Sequence, residues 1–354
     1  MKKIEAKIVA DSINKQGNRI TTFLLTYPRF IHSELMTHRM FSRNSASSRA
    51  IPFEKMVKMV EEDPFIPIAW QKDHKGMQGS EYFQGSCKDE FGHLDRAFAG
   101  YEMYQNKDSV KQLTEEWLEA RDNSIQQAKA LNYLGVTKQL CNRLLEPFMW
   151  HTTLVTSTEF SNFFNLRCPK YHSPVDVHFL HKSKKDCIAA HSNPINLEKF
   201  DKFSIEEWLG INESQAEIHI QALAEAMWDA YNESIPQELS YGEWHLPLAR
   251  FIEDLPLDVK IKTCVARAAR LSYMTFDGKI DYEKDIELHD QLLESKHYSP
   301  FEHCARAMSE EEYESFYKGE RANKGHTGLN ENKGWCNNFR GFIQYRYLIE
   351  NDEK

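Results

Sequence analysis

The sequence predicts a mixed α+β protein, on three observations. Two neighbouring β patterns, at 2–12 and 19–27, flank the turn signal KQGN, and the second is rich in β-branched and aromatic residues. Apolar residues then recur at helical spacing in several segments between residues 28 and 296. Near the C-terminus, residues 339–349 alternate aromatic and polar side chains like a final strand. A chain of 354 residues can bury one large core or two modest ones, and composition does not choose between them.

The two N-terminal strands are expected to pair across their turn. Residues 28–41 read as a helix, with Pro28 suited to a first turn and Phe30, Ile31, Leu35 and Phe41 on an apolar face. A short amphipathic helix follows at 53–62, carrying Phe53, Met56, Val57 and Val60 and closing before Pro64. DPFIPIAWQKDHKGMQGSEYFQG has no sustained period and reads as a long surface loop, with a lid over a site as the alternative. A long helix is expected over 109–133, with Gly135 where a C-cap belongs. Thr137 can cap the next helix, TKQLCNRLLE, which Pro147 ends before an apolar, hydroxyl-rich run at 148–167.

Helical spacing returns at 212–234, 258–273 and 282–296. In HYSPFEHC, Ser299 and Glu302 have the spacing of a capping box with Pro300 at the first helical position, so local structure alone can account for the motif. Residues 318–335 are rich in Gly, Asn and Lys and read as a loop. There is no P-loop and no GxGxxG.

A net charge of −9 argues against bulk binding to nucleic acid or to an anionic membrane, so a local basic cluster points to a small anionic ligand. Residues 37–49, THRMFSRNSASSR, form that cluster. Cations and hydroxyls at this density suit phosphate oxygens, and a solvated basic surface has the same pattern. Arg143 and Arg167 sit in apolar sequence, as snorkelling or ion-paired arginines do, and would complete a clamp if they lay near an anion site. The basic N-terminus lacks the continuous apolar segment of a signal peptide, and no stretch is long enough to cross a bilayer, so the reading is a cytoplasmic protein. Seven scattered cysteines without a CxxC pair are expected to be free thiols. His172, His178, His181, Cys187 and His191 match no standard zinc spacing, and no metal is expected.

Several of these pieces together resemble the flavin-dependent thymidylate synthases. THRMFSRNSASSR is similar to that family's RHR-led signature ending in SxR. GVTKQLCNRLLEP, STEFSNFFNLR and SQAEI resemble its GVxxxxARxxLP, NxxxFxxLR and AQxEI segments in the family's order. AARLSY and HYSPFEH resemble ARxSY and HxSPFEH, which in the family precede the signature and here follow it, so the motif order looks circularly permuted. The organisation implied is one elaborated domain over 1–354, with the signature and the NxxxFxxLR-like motif in 1–167, an insertion at 168–211, and the remaining motifs in 212–354. What the resemblance implies is a fold of helices packed around an antiparallel sheet, assembled as a homotetramer with active sites at subunit interfaces. The implied chemistry uses methylenetetrahydrofolate as the one-carbon donor, NADPH as reductant and FAD as the hydride carrier, and converts dUMP to dTMP. The absence of a Pro-Cys dipeptide agrees with chemistry that needs no protein nucleophile.

Carried over position by position, the resemblance makes His38, Arg39, Asn44, Asn162, Ser272, Ser299 and Glu302 flavin contacts. Glu34, Ser47, Arg49, Arg143 and Arg167 become nucleotide contacts, with Arg143 and Arg167 also the candidate catalytic pair. Three departures bear on substrate. Thr37 replaces the first Arg of the RHR triplet, Glu34 stands where the family has Gln, and Ser45 stands where it has Glu. A carboxylate accepts but cannot donate unless protonated, so Glu34 suits a cytosine amino group and leaves dCMP, or a hydroxymethyl product, as the alternative to dUMP methylation, with a non-catalytic nucleotide-binding homologue as the third reading. Thr156 and Thr158 stand near positions where the family carries Asn and Arg for FAD, and 339–346, FRGFIQYR, is either a substitute grip or an edge strand.

Overall fold

The structure, a computed structural model, describes residues 2–75, 79, 81–83, 109–173, 179–190, 203–273, 281–317 and 332–351. In chain order its strands are β1 Glu5–Asn14, β2 Arg19–Pro28, β3 Ser42–Ser45, β4 Trp150–Ser157, β5 Tyr171–His172, β6 Leu180–His181, β7 Gln237–Leu239, β8 Trp244–His245, β9 Ala305–Ala307, β10 Trp335–Cys336, β11 Phe339–Arg340 and β12 Phe342–Gln344. Its helices are α1 His32–Met36, α2 Phe53–Glu62, α3 Ser109–Tyr133, α4 Lys138–Cys141, α5 Ser161–Arg167, α6 Lys184–Ala189, α7 Ile205–Gly210, α8 Ile218–Glu233, α9 Leu257–Tyr273, α10 Tyr282–Glu294, α11 Glu310–Ser315 and α12 Tyr345–Glu350.

A five-stranded sheet in the order β3-β4-β2-β1-β7 organises the molecule. It is antiparallel except at its edge, where β7 joins β1 in parallel. β1 and β2 pair as expected, from Glu5 opposite Thr26 to Ile13 opposite Arg19, with an irregularity between Ile8 and Ala10. Alternate side chains of β2 enter different layers. Phe23, Leu25 and Tyr27 face a core shared with Phe163 and Phe164 of α5 and Ile220, Leu223 and Met227 of α8. Leu24 packs on the other side with Leu154, Ala268 and Leu271, the last two from α9. Helices therefore cover both faces of the sheet, which explains why β2 is buried along most of its length.

α2 and α3 form at the expected residues. The end of α3 is a Schellman turn: the Val136 N–H bonds Leu131 O at 3.0 Å, the Gly135 N–H bonds Asn132 O at 3.0 Å, and Gly135 has φ +86°. The segment at 64–85 is anchored where it is described. Phe65 is buried, its carbonyl accepts from Trp117 Nε1 at 2.8 Å, and the Ile68 N–H donates to His219 Nε2 at 3.0 Å. The six cysteines among the described residues are buried, and none of them is in a disulfide. In the 168–211 segment, Tyr171, Cys187 and Trp208 make a small core of their own.

Five expectations need correction. The helix expected over 28–41 is a 3-10 turn, Arg29–Ile31, followed only by α1, because Pro28 is still in β2 opposite Trp150 and Ser42 already pairs with Thr156 of β4. Residues 37–41 must reverse the chain between those two anchors. Pro147 lies inside a 3-10 turn, Asn142–Phe148, and does not end an α-helix. α8 starts at Ile218 because Glu217 caps the His219 and Ile220 N–H groups at 2.8 and 3.1 Å. Ser299 makes no capping box: residues Ser299–Glu302 are a 3-10 turn with Tyr298 at the cap position and no side-chain cap bond. Residues 339–349 make two short strands and then α12, broken at Gly341, where φ is +76° and a side chain would collide with Asn14 and Asn18. Most of the 318–335 loop, together with His178, His191 and Cys87, lies outside the described residues.

Candidate functional site

The reversal at 37–41 meets the start and end of α5 around a cavity of about 320 Å³, lined by Thr37, His38, Arg39, Phe41, Asn162 and Arg167 among others. Arg167, in the last turn of α5, donates from Nε to His38 Nε2 at 3.1 Å, and its Nη2 lies 3.5 Å from Thr37 Oγ1. An imidazole that accepts at Nε2 carries its proton at Nδ1, so His38 is neutral here. Burial, then Arg167 and Arg43, push its pKa from the ordinary 6.5 down to about 4. The ring is fixed against Phe163, edge to face with centroids 4.8 Å apart, and stacks on Phe41. Arg43 braces the same turn by donating from Nη1 to Met36 O at 2.8 Å and His38 O at 3.4 Å. Arg39 and Asn162 are exposed, so their side chains are available to a ligand.

A second polar centre lies on the loop after β3. Asn142 donates to Ser48 O at 2.7 Å and Ile51 O at 3.0 Å, Ser48 Oγ donates to Glu146, and the Ala46 N–H bonds Thr152 O at 2.9 Å. This tethering leaves Ser47 half-buried and Arg49 exposed, and brings the loop against the turn that carries exposed Arg143. Of the two arginines expected to form a clamp, Arg167 lines the cavity and Arg143 is not among its lining residues. Glu34, half-buried on α1, accepts from Ser33 Oγ at 3.0 Å.

The remaining expected contacts divide. Asn44 is buried in β3, and with its amide nitrogen turned toward them it donates to Arg43 O at 3.0 Å and Ser299 O at 3.3 Å. This ties the signature stretch to the SPFE turn. Glu302 accepts from Arg346 Nη1 at 2.6 Å. Ser272 lies in α9 near the boundary of the described residues. Among the described residues, no group of three or more His, Cys, Asp or Glu is placed to hold a metal ion, and no helix is long and apolar enough to cross a membrane.

Sequence reasoning missed a buried cluster beside the second centre. His32 Nδ1 and Tyr27 OH share a hydrogen bond of 2.8 Å, Tyr27 OH and Thr153 Oγ1 one of 2.7 Å, and Thr153 Oγ1 and Ser45 Oγ one of 3.0 Å. His151 packs edge to face on both Tyr27 and His32, and its two ring nitrogens find no protein partner. Burial lowers the pKa of His32 to about 4 and carries that of His151 well below its usual value, with Arg29 adding to both. The signal was the register, because Tyr27 stands directly opposite His151 across β2 and β4.

No protein-family model and no curated protein matches the sequence. Solved structures that overlay on part of the chain include a UMP/dUMP methylase PolB from Streptomyces cacaoi. Its complex with 5-Br dUMP overlays at 17% identity over 61% of this chain and 66% of that one, with a TM-score of 0.35. Its complex with 5-Br UMP overlays at 15% identity over 66% of this chain and 90% of that one, with a TM-score of 0.40. At that level of overlay, the chemistry of the site is carried by its own residues.

Proposed function

We propose that the protein is a flavin-dependent pyrimidine nucleotide methylase that transfers a one-carbon unit from methylenetetrahydrofolate to C5 of dUMP, with FAD as cofactor and NADPH as reductant, to give dTMP. The observation that carries this reading is the convergence of 37–41 with Asn162–Arg167, over 120 residues apart in sequence, around one cavity with Arg167 bonded to His38. The residues present fit part of a flavin. Phe41 and Phe163 supply flat apolar walls, while Arg39, Arg167 and Asn162 supply cationic and amide donors. A cavity of about 320 Å³ is at the small end of ligand sites, enough for one ring system or nucleotide. The rest of a dinucleotide would extend beyond it, in keeping with sites completed by a second subunit of a homotetramer.

When bound, reduced FAD supplies the hydride for such a transfer. The chain's own residues bind and orient. Arg39 and Asn162 would hold the flavin, and Asn44 and Ser299 keep the adjoining turns in register. Ser47, Arg49 and Arg143 offer one hydroxyl and two guanidinium groups to a nucleotide phosphate. His38 holds its proton at Nδ1 and commits Nε2 to Arg167, so it orients that guanidinium and does not act as a base through Nε2.

A second reading rests on Glu34, whose carboxylate suits the amino group of dCMP better than the carbonyl of dUMP. One experiment tests both. The purified protein should show a flavin absorbance band that NADPH bleaches, and with methylenetetrahydrofolate and either dUMP or dCMP the methylated product should be visible by mass spectrometry. A colourless protein that neither binds added FAD nor turns over either nucleotide would refute both readings.

A further inference from the structure

The C-terminal segment, which the motif resemblance leaves without a role, grips the back of the candidate site at three points. Asn338 donates from Nδ2 to Met40 O at 3.0 Å and lies 3.1 Å from Ser42 Oγ. Gln344, fully buried, also reaches Ser42 Oγ at 3.1 Å, and donates to Asn338 Oδ1 at 2.9 Å. Arg346 donates to Glu302 at 2.6 Å, and Glu350 holds the Arg346 guanidinium from the other side at 3.0 and 3.1 Å. The charge of Glu302 is felt by Arg43, the residue that braces Met36 O and His38 O. The segment is anchored independently: β12 pairs with β9, and the Tyr345 N–H bonds Cys304 O at 2.9 Å. None of Asn338, Gln344 and Arg346 lines the cavity, yet each reaches Met40, Ser42 or Glu302, on the turn that shapes it or on the SPFE turn beside it.

We infer that Asn338, Gln344 and Arg346 are positioning residues: the C-terminal segment is a strap that pre-organises the 37–45 turn, so that ligand affinity in the cavity depends on side chains that never touch the ligand. Pre-organisation acts by removing the ordering cost that a loose turn would impose on binding. The ligand part of this inference rests on the proposed flavin reading; the ordering part does not.

The test uses the full chain and four variants: Arg346→Met, Arg346→Lys, Asn338→Ala and Glu350→Gln. In the ligand-free protein, backbone hydrogen exchange at residues 37–45 should speed up about tenfold in Arg346→Met and in Asn338→Ala. Exchange in helix Ile218–Glu233 should stay at its wild-type rate. In a fluorescence titration with FAD, the same two variants should bind about tenfold more weakly. Arg346→Lys, which keeps the charge on Glu302, should recover part of the loss, and Glu350→Gln should leave both readouts near wild type. Unchanged exchange at 37–45 in both variants overturns the inference. So does faster exchange that extends equally through Ile218–Glu233, because the segment would then support the whole fold and not the site. If the wild type binds no FAD, the flavin reading fails by itself and the exchange data alone decide whether the strap orders the turn.

Discussion

Lowering the pH from 7.5 to 4 should cost the protein stability through His38, by an amount the site geometry predicts. The ring is 8% exposed, accepts from Arg167 and has a pKa near 4, against 6.5 in an unfolded chain. Between those values the unfolded chain takes up a proton that the folded chain refuses, so stability is fully present above pH 6.5 and falls as the pH drops toward 4. The gap, at about 1.4 kcal/mol per pH unit, sets a ceiling of about 3 kcal/mol, reduced to the extent that cavity water solvates the ring. His38→Gln isolates this share, because an amide oxygen can still accept from Arg167 and does not titrate. Half-buried His32 and buried His245 and His303, with pKa values near 4, 3 and 3, cost stability equally in both proteins and cancel in the difference. Urea unfolding at pH 7.5 and pH 4 should therefore show the wild type losing up to about 3 kcal/mol more than His38→Gln. An NMR titration should place the His38 midpoint near 4, and in Arg167→Met it should rise without reaching 6.5, since burial, the larger cause, persists. Equal losses in the two proteins, or a wild-type midpoint near 6.5, would refute the reasoning.

Three further predictions follow from the same contacts. Arg49→Ala removes an exposed cation, so calorimetry should show nucleoside monophosphate binding weakened by about tenfold or more while the unfolding midpoint holds; a lost fold would contradict the assignment. Phe163→Ala deletes a ring that is 1% exposed and packs on His38 and Phe41, and denaturant unfolding should register a loss of about 3–5 kcal/mol. Asn142→Ala leaves the buried Ile51 carbonyl without its donor and removes one of the two donors to Ser48 O, and should cost about 1–3 kcal/mol, whereas neighbouring Arg143→Ala, exposed, should change stability by less than about 0.5 kcal/mol.

What could be read from the sequence was what local chemistry decides. α2 and α3 form where the periodicity puts them, Gly135 closes α3 with a left-handed residue, and the β1–β2 hairpin needs only its own turn. Residues 37–41 could not be read that way, because β4, more than 100 residues later, pulls Ser42 into the sheet and ends the helix early. Ser299 and Glu302 have capping-box spacing, but Glu302 finds a stronger partner in Arg346, a charged group 44 residues away. The candidate site followed the same division. The clustering of Thr37, His38 and Arg39 was visible as a motif, while the placing of Arg167, and not Arg143, in the cavity lining depended on which turn each arginine occupies in three dimensions.

Thr156 and Thr158, near positions where the family resemblance places Asn and Arg, are both committed within the protein. Thr22 Oγ1 and Thr156 Oγ1 share a hydrogen bond of 2.7 Å; His245 Nε2 lies 2.8 Å from Thr22, Ser12 Oγ 2.9 Å from His245 Nδ1, and His303 Nδ1 2.8 Å from Thr156. All five residues are buried, and the row joins β1, β2 and β4 to β8 and the turn before β9. Thr156 is fully buried and both of its hydrogen bonds stay within the row, so its hydroxyl is engaged there and not exposed to a ligand. Thr158 accepts the Arg340 N–H at 2.9 Å. Thr156 cannot be freed cheaply, since breaking the row would leave buried hydroxyl or imidazole groups unpaired at about 1–3 kcal/mol each. Burial also keeps both imidazoles neutral down to about pH 3, so the row carries no charge that could attract a phosphate. Arg39 and Asn162, by contrast, are exposed and line the cavity at the 37–41 turn, so their side chains are the donors a ligand can reach.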